Sequence, residues 1–517
     1  MILGKDNIER LPLPVGTSDW AASRLRRWCC RCALAGCVLL GRTATANEWK
    51  VVCGGFEGPE GRAAELLTAE VGEILLRDPG VYATRVLPVL APDELKDSTN
   101  LNLIVVGTRA DNPILRARVR ADEVPAGGYL VRAFQDGGRK VALLAGDTPA
   151  AALWAAVDFV DDGIGRLRPD RGNGLLFVRD VFEDRLPWKS GYESRRAPKT
   201  NVRSVFTWGH PINDFREYVR NLARMKINRV YLWNNEPPRN AREVVDYAHS
   251  WGVEVFWGFS WGWDTQRERT SELPNEEIAA RVLETWRTTW SKLPGDGIYF
   301  QTFTEMRKKT VNGESVAAKA VRLVNSVADK VLAERPGLKI VFGLHATSVF
   351  GALDDIAATD PRLEILWEDC GAFPFGYWVK TTEREDDAFV DRLLADERHP
   401  VGLVYKWMMI QDWTHFTFQQ GPYCLGVTSR RTHENDMRLQ AELWKNFTVD
   451  WERKGARAHA LARRVQAKGP QVELNMAAQL NGPLHFPAAF SAELFWSADE
   501  DFATIRDRVL NRANVIR

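Results

Sequence analysis

Acidic side chains follow two of the short apolar runs in this sequence, and carboxyl groups in such positions can do chemistry. Glu305 comes just after the run at residues 297–301, and Glu368 and Asp369 come directly after the run at residues 363–367. Cleavage of a glycosidic bond needs two carboxyl groups, one protonated to assist the leaving oxygen and one ionised to act as base or nucleophile. These residues therefore predict a glycosidase centre with Glu305 as the proton donor.

The surroundings of Glu305 fit a proton donor. Its apolar neighbours in the sequence are Phe300, Phe303 and Met306. Desolvation by such side chains raises the pKa of a carboxyl group toward neutral pH. For the role of base or nucleophile we favour Asp369 over Glu368, and we expect only one of them to face the site because adjacent side chains diverge. A simple ion-pair partner is the alternative interpretation of Glu305.

Tryptophan is abundant, with twenty residues in the chain, and many of them lie near the ends of apolar runs. Sugars present flat C–H faces edged with hydroxyls, which an indole ring can cover while polar side chains bind the hydroxyls. The residues predicted to bind such a substrate are Trp208, His210, Trp233, Asn234, Asn235, Glu236, Trp261, Asp264, Gln301, His345, Trp367, Lys406 and Trp407. Packing between helices and strands is the alternative interpretation of the tryptophans.

Eight short apolar runs recur after residue 200, and helix-like segments separate most of them. The runs are residues 203–208, 229–233, 253–257, 297–301, 339–343, 363–367, 401–407 and 423–428. Strands that alternate with helices predict a parallel sheet, and eight of them predict a (β/α)8 TIM barrel over residues 200–430. An open doubly wound sheet is the alternative, although its usual glycine-rich first turn is absent. The candidate residues fall at the carboxyl ends of the strands, where barrel active sites lie.

Two further regions flank the predicted barrel. Residues 47–185 alternate strand and helix patterns and predict a small α/β domain, with a hairpin around Gly137-Gly138, and residues 186–200 predict a linker. Residues 431–517 predict a mainly helical segment, with one long helix at 435–466, an apolar strand at 490–496 and a closing helix at 502–513. The predicted fold class of the whole chain is α/β.

The first 46 residues have the pattern of a signal peptide. Arginines between residues 24 and 27 precede a short apolar stretch, and an A-x-A motif ends at Ala46. The apolar stretch is far shorter than the ~20 residues needed to span a bilayer. We therefore expect export to the periplasm or the extracellular space after cleavage near Ala46, with no transmembrane segment in the mature chain. A lipoprotein attached through Cys37 and a disordered leader are the alternatives.

The charge balance argues against a polyanionic partner. The chain has 69 basic and 68 acidic residues, a net charge of +1, with no basic cluster outside the N-terminus. We therefore expect no nucleic-acid partner. No C-x-x-C or H-x-x-x-H spacing occurs after residue 46, so we expect no metal site. The expected partner is a carbohydrate substrate, and the oligomeric state stays open.

Two segments resemble known glycoside hydrolases. The α/β region ends in GYLV followed by LLAGDTPAAALWAAVDFV, and the predicted barrel opens with VRSVFTWG. This arrangement resembles the α-glucuronidases of glycoside hydrolase family 67, and the hexosaminidases of family 20 share the layout. The resemblance to family 67 implies a general acid at Glu305, a further carboxylate at Asp369 and inversion of configuration. The chain departs from family 67 after the seventh strand, where Lys406 and Asp412 stand in place of a clear glutamate. It departs from family 20 at Thr304-Glu305, where those enzymes carry an Asp-Glu pair.

Together these observations predict a glycosidase with a two-carboxylate acid/base mechanism, similar to the α-glucuronidases or hexosaminidases, that needs no cofactor. One alternative is a carbohydrate-binding protein on a barrel that has lost a catalytic carboxylate, which the missing glutamate after the seventh strand favours. Another is a metal-dependent barrel hydrolase. That class would need an H-x-H pair on the first strand, where this chain has only His210.

Overall fold

The structure is a computed structural model of the whole chain. It describes residues 48–76, 87–96, 99–164, 191–207, 209–234, 236–262, 268–303, 306, 308–368, 383–408, 421–448, 451–478, 480–482, 484–512 and 515–516. The predicted signal peptide lies outside these ranges, so it stays a prediction. Within the described ranges, no helix combines the length and the apolar character that a membrane crossing requires.

A six-stranded mixed sheet forms the first domain. Its strands are β1 (Glu48–Cys53), β2 (Val89–Leu90), β3 (Leu101–Thr108), β4 (Tyr129–Asp136), β5 (Arg139–Gly146) and β6 (Tyr192–Arg196), in the spatial order β2-β1-β3-β5-β4-β6. Strands β1, β2, β3 and β5 run parallel, and β4 runs antiparallel to both of its neighbours. The predicted hairpin is confirmed, and Gly137 and Gly138 both have the positive φ that a two-residue hairpin turn requires. Strand β6 lies in the stretch predicted as a linker.

Among the described residues, three α-helices accompany this sheet, and local capping explains where two of them begin. They are α1 (Gly58–Leu76), α2 (Pro113–Arg118) and α3 (Pro149–Asp158). The Asn112 side chain accepts hydrogen bonds from two backbone N–H groups of α2, and Thr148 accepts one from α3. Both helices start with a proline, whose fixed φ and missing N–H suit the first helical position.

Eight parallel strands close into a barrel, which excludes the open doubly wound alternative. The barrel strands are β7 (Val202–Phe206), β8 (Arg229–Trp233), β9 (Glu254–Gly258), β10 (Gly297–Phe300), β13 (Lys339–His345), β14 (Glu364–Glu368), β15 (Val401–Met408) and β16 (Glu473–Ala478), and a hairpin of β11 (Thr310–Val311) and β12 (Glu314–Ser315) follows β10. The predicted α/β fold class is confirmed.

Helices cover the outside of the barrel and complete the chain. They are α4 (Phe215–Arg224), α5 (Ala241–Ser250), α6 (Asn275–Thr285), α7 (Val316–Glu334), α8 (Leu353–Ile356), α9 (Glu383–Leu394), α10 (Arg430–Thr448), α11 (Trp451–Gln466), α12 (Phe486–Trp496) and α13 (Phe502–Leu510). Strands β17 (Leu484–His485) and β18 (Val515–Ile516) form a short parallel pair. The single helix predicted at residues 435–466 is thus represented by α10 and α11.

The eighth barrel strand was predicted at residues 423–428, and that prediction is wrong. Strand β16 pairs with β15 on one side and with β7 on the other, so the barrel extends past residue 430 to Ala478. Residues 423–425 instead lie against the loop after β8, where the backbone N–H of Leu425 donates to the Asn240 side chain at 2.8 Å. The inward-facing Glu473 and Asn475 interrupt the apolar run of β16, which explains why the sequence did not reveal it.

The segment at residues 490–496 was predicted as a strand, and it lies in helix α12 instead. Every residue of α12 is buried, so its sequence has neither the apolar stripe of a surface helix nor the alternation of a strand. The helix is fixed by charge as well as packing, because Glu493 contacts Arg196 of β6 at 2.7 Å and Arg512 at 2.7 Å. Arg512 in turn contacts Asp162 of the first domain at 2.8 Å. Helix α12 therefore joins the first domain to the barrel.

Candidate active site

Side chains that point into the middle of the barrel form a packed layer. They are Phe206, Tyr231, Trp233, Phe256, Tyr299, Val341, Leu366, Val404 and Ala477. The ring centroids of Phe206 and Tyr299 are 4.9 Å apart, and those of Tyr231 and Tyr299 are 5.4 Å apart. The barrel interior is therefore filled, and this layer forms a floor beneath the carboxyl ends of the strands.

Glu368, the last residue of β14, is fully buried and faces the barrel interior at the carboxyl ends of the strands. The Tyr299 hydroxyl donates a hydrogen bond to Glu368 Oε1 at 2.7 Å, and the Gln301 amide donates to the same oxygen. The Lys406 ammonium lies 2.5 Å from Glu368 Oε2. The Glu368 carboxylate of β14 is thus contacted by side chains from β10, from the residue pair after β10 and from β15, and Lys406 neutralises its charge.

The groups around Glu368 have defined protonation states. Burial, and then the Glu368 charge, raises the pKa of Tyr299 well above its usual value, so the phenol remains a hydrogen-bond donor. His345 is the register partner of Glu368 across β13 and β14. Burial, and then the nearby Lys406 charge, holds the pKa of His345 well below its usual value, so its imidazole is neutral.

Two glycines make room for this arrangement. A Cβ atom on Gly343 would lie 2.1 Å from the Tyr299 hydroxyl oxygen, so the missing side chain lets Tyr299 reach Glu368. A Cβ atom on Gly258 would lie 2.7 Å from Trp233 Cε3, so this glycine lets the Trp233 indole lie over the neighbouring strand. Glycine therefore occurs at these positions because ring atoms occupy the space that a side chain would need.

Strand β8 and the end of β7 carry four of the predicted substrate-binding residues that the structure describes. Trp233 faces the barrel interior with its ring 5.8 Å from that of Tyr299, and Asn234 is buried with its side chain bonded to the Tyr423 hydroxyl. His210 is buried, and burial lowers the pKa of its imidazole to about 3, so the ring is neutral. Glu236 is exposed in the loop after β8. Trp233, Asn234 and His210 thus lie at the carboxyl ends of neighbouring strands.

Trp261 and Trp367 were predicted as sugar platforms, and the structure corrects both. Trp261 is fully buried and stacks on Phe300 with ring centroids 3.7 Å apart. Trp367 is also buried, and its ring packs 4.8 Å from Phe389 of helix α9. Trp367 faces outward because successive side chains of a strand point to opposite faces and those of β14 that face inward are Leu366 and Glu368. Trp261 lies after β9 and packs on the outward-facing Phe300.

Several predicted site residues lie outside the described part of the chain, and their roles stay predictions. They are the proposed donor Glu305, the favoured second acid Asp369, and Trp208, Asn235 and Asp264. The side chain of Trp407 is likewise outside it. Of the predicted residues that are described, Glu368, Gln301, Lys406 and His345 come together in one cluster.

The sequence patterns did not identify Tyr299 or Asp436 as candidate residues. Tyr299 precedes Gln301 by two residues, so the alternation of a strand could have placed both on the inner face. Asp436 of helix α10 is buried, and burial raises the pKa of its carboxyl group to about 7 while an Asn213 hydrogen bond opposes the shift. Asp436 gave no sequence signal, because it lies in a helix rich in charged residues.

Within the described ranges, no three His, Cys, Asp or Glu side chains come together in a way that could hold a metal ion. The described polar groups of the cluster are one carboxylate, one ammonium, one phenol, one amide and one imidazole. Such a set can move protons and bind hydroxyl groups.

Solved structures of similar fold include several glycoside hydrolases. A family 20 exo-β-N-acetylglucosaminidase from Vibrio harveyi, an inactive mutant, is 9% identical with a TM-score of 0.47, and the match covers 90% of this chain and 73% of that one. A family 89 glycoside hydrolase from Clostridium perfringens in complex with PUGNAc is 9% identical with a TM-score of 0.44, over 78% of this chain and 49% of that one. An O-GlcNAc hydrolase mutant from Thermobaculum terrenum is 10% identical with a TM-score of 0.35, over 60% and 64%. No protein-family model and no curated protein sequence matches this chain.

Proposed function

We propose that this protein is a glycoside hydrolase whose active site lies at the carboxyl ends of the barrel strands. The observation that carries the proposal is the Glu368 carboxylate, which is buried there with its charge neutralised by Lys406 2.5 Å away. Burying a charge is costly unless it is paired, so a buried ion pair at this position needs an explanation. A buried acid that side chains of neighbouring strands hold at the carboxyl end of a barrel is typical of a catalytic site.

In this proposal Glu368 is the ionised carboxylate of the pair. The Tyr299 hydroxyl and the Gln301 amide both donate to Oε1, and the Lys406 contact is made to Oε2. These contacts fix the orientation of the carboxylate before the substrate arrives, so it can stabilise the positive charge that develops at the anomeric carbon or act as base or nucleophile. Asp369, which the sequence favoured, is the alternative for this role.

Glu305 supplies the proton in the same proposal. It follows the last residue of β10 by five positions in the sequence, and β10 also carries Tyr299, which contacts Glu368. This sequence position supports the proposal that Glu305 and Glu368 act at the same end of the barrel. Glu305 protonates the glycosidic oxygen as the bond to the anomeric carbon breaks. In an inverting reaction, water adds to that carbon and gives its proton to the second carboxylate. In a retaining reaction, the second carboxylate first bonds to the carbon, and water then displaces it while the deprotonated Glu305 takes up the proton of the water.

The substrate is a glycan residue of the class that α-glucuronidases or hexosaminidases cleave. Trp233 faces the barrel interior and offers an indole that can bind the face of a sugar ring. An exported location, predicted from residues 1–46, fits a glycan substrate outside the cell.

One observation favours a second candidate, a carbohydrate-binding protein without activity. Glu368 is fully buried against Lys406, so the ion pair itself can fill the place that a substrate would need. In that case the barrel binds sugars through Trp233 and cleaves none.

A panel of chromogenic aryl glycosides tests the proposal, with glucuronides and N-acetylhexosaminides assayed at several pH values. The proposal expects turnover of at least one sugar by the parent protein. Binding of a sugar without release of the aryl group from any member of the panel would instead support the second candidate.

A further inference from the structure

The hairpin of β11 and β12 turns at Asn312-Gly313, one of three Asn-Gly pairs in the chain. The ladder pair next to the turn joins Val311 to Glu314, so the turn consists of these two residues alone. Asn312 and Gly313 have φ values of 54° and 79°, as a two-residue hairpin turn requires, and both are exposed. An asparagine amide and the backbone nitrogen that follows it therefore lie together at a tip that water reaches.

An asparagine followed by glycine can deamidate without an enzyme. The backbone nitrogen of the glycine attacks the side-chain Cγ of the asparagine, and the missing Cβ allows the close approach that the ring closure needs. The space around Gly313 is open, since an added Cβ would meet no atom within 4 Å beyond its chain neighbours. In a folded protein the reaction also needs a side chain that can rotate and a backbone that can leave its turn conformation.

The Asn312 amide is held weakly. Its Nδ2 donates a hydrogen bond to the Glu272 carbonyl at 3.3 Å, longer than the usual N–H···O distance of about 2.9–3.0 Å, and the contact is exposed to water. The hairpin has only two ladder pairs, and a two-stranded hairpin is marginally stable by itself. Opening of this turn therefore costs far less free energy than global unfolding.

The pair Asn481-Gly482 has the same chemistry in opposite surroundings. Asn481 is buried in the loop after β16. Its Oδ1 accepts a hydrogen bond from the Asn213 backbone N–H at 3.0 Å, and its Nδ2 donates to the Pro211 carbonyl at 2.8 Å. Because the amide is held by both of its polar atoms, Cγ cannot rotate toward the Gly482 nitrogen unless the two loops separate. This pair is an internal control for the first.

We propose that Asn312 is a site of spontaneous deamidation in the folded protein. The Gly313 nitrogen loses its proton to hydroxide and bonds to Cγ of Asn312. The bond between Cγ and Nδ2 then breaks, and ammonia leaves with a proton from water, which regenerates the hydroxide. Water opens the resulting cyclic imide at either carbonyl and gives aspartate or isoaspartate. The net reaction consumes a water molecule and releases ammonia.

Either product changes the contact between two loops at the carboxyl ends of the barrel strands. The hairpin follows β10, and Glu272 lies between β9 and α6. A carboxylate at position 312 has no N–H to donate, so the hydrogen bond to the Glu272 carbonyl is lost. Isoaspartate also adds a carbon to the main chain of the two-residue turn. The modification thus removes a contact that joins these loops.

Peptide mapping by mass spectrometry tests the proposal on the intact, folded protein after prolonged incubation at mildly alkaline pH. Trypsin places the three Asn-Gly pairs in separate peptides, residues 172–179, 310–319 and 469–506. We expect conversion at Asn312, with isoaspartate among the products, and none above the starting level at Asn481. Asn173 lies outside the described residues, and its separate peptide keeps it out of this comparison.

The same incubation in urea is the matched control, because the unfolded chain exposes both pairs equally. Folding should slow conversion at Asn312 less than about tenfold and at Asn481 more than about 100-fold, since local opening is nearly free at exposed turns and costly in buried segments. Gly313→Ala should slow conversion at Asn312 about tenfold or more, because its Cβ obstructs ring closure. Its melting temperature reports whether the variant is folded.

Three results would overturn the proposal, whether or not the protein cleaves sugars. Equal rates at Asn312 and Asn481 in the folded protein would show that burial and amide contacts do not select the site. Conversion of Asn312 in urea but not in the folded protein would show that the turn stays closed. Aspartate without isoaspartate would exclude attack by the Gly313 nitrogen.

Discussion

The two ends of the barrel both bury charged side chains, but they neutralise them differently. At the amino-terminal ends of the strands, the Arg229 guanidinium contacts three carboxylates, with Glu254 at 3.0 Å, Glu364 at 2.6 Å and Glu473 at 3.1 Å. Glu473 also accepts hydrogen bonds from Tyr231 at 2.9 Å and from Ser204 at 2.5 Å. Each of these four strands begins with one member of the cluster, which therefore ties the strands together.

At the carboxyl-terminal ends, one carboxylate is paired with one lysine. Glu368 has Lys406, Tyr299 and Gln301 as partners, and His345 beside it is neutral because of its low pKa. A guanidinium shared by three acids fits a role in stability, whereas a single acid held by donors at the carboxyl ends of the strands fits the chemistry that we propose. The comparison separates a structural charge cluster from a candidate catalytic one within the same barrel.

Glu368→Gln should have the largest effect on activity. Loss of a catalytic carboxylate is expected to lower kcat about 10²–10⁴-fold on any glycoside that the parent cleaves. Glu364→Gln is the matched control, because Glu364 lies on the same strand and the same face at the opposite end. Equal losses of activity in the two variants would remove the distinction between the ends of the barrel.

Arg229→Met should have the largest effect on stability. It leaves three carboxylates without their shared cation, and loss of one partner from a buried ion pair costs about 3–5 kcal/mol of the free energy of unfolding. Arg287→Met, which breaks an exposed pair with Glu334, should change that free energy by less than about 1 kcal/mol. Urea denaturation measures both. Similar destabilisation by the two substitutions would contradict the assignment of the Arg229 cluster to stability.

Gly343→Ala tests the contact between Tyr299 and Glu368 at the carboxyl-terminal end without changing the charge there. The added Cβ would lie 2.1 Å from the Tyr299 hydroxyl oxygen, so Tyr299 must shift away from Glu368. We expect kcat to fall about 10–100-fold, since small displacements of positioning groups have effects of this size. The control is Gly72→Ala, whose Cβ would make an ordinary contact at 3.4 Å. Unchanged kcat in Gly343→Ala would show that the Tyr299 contact has no role in catalysis.

Asp436→Asn should give the smallest effect, and only at higher pH. Burial raises the pKa of Asp436 to about 7, above its ordinary value near 4, so its contribution to stability is complete below about pH 4 and is lost as the pH rises to 7. The amide cannot ionise, so the variant should gain stability relative to the parent between pH 4 and pH 8. The gain should be about 1–2 kcal/mol, less than the full shift implies, because solvent partly screens the carboxyl group.

The control for this pH effect is Asp354→Asn, since Asp354 is 97% exposed. Its free energy of unfolding should follow that of the parent across the same pH range. If Asp436→Asn also follows the parent, Asp436 does not carry a raised pKa in the folded protein.

The sequence predicted the barrel because most of its strands are apolar on both faces. It failed at β16, where inward Glu473 and Asn475 belong to the charge and hydrogen-bond cluster of the barrel, and at α12, which is buried on all sides and has no amphipathic period. These features depend on tertiary contacts that a single segment does not reveal.

The candidate site was predictable in part. Strand ends identified Glu368, Gln301 and Lys406, but not which faces they share. Strand alternation could have shown that Trp367 and Glu368 do not face the same side, so that only one of them reaches the barrel interior. The contact between Tyr299 and Glu368 joins residues 69 positions apart, and it depends on the space that Gly343 leaves.

The central claim is that Glu305 and Glu368 act as a donor and an ionised partner on one glycosidic bond. The most direct test is to compare Glu305→Gln and Glu368→Gln on two aryl glycosides of the same sugar, one with a 2,4-dinitrophenyl group and one with a poorer leaving group. Glu305→Gln should cleave the dinitrophenyl glycoside nearly as fast as the parent and lose about 10²–10⁴-fold on the other, while Glu368→Gln should lose both activities. Parental rates on the poorer substrate in either variant would contradict the account.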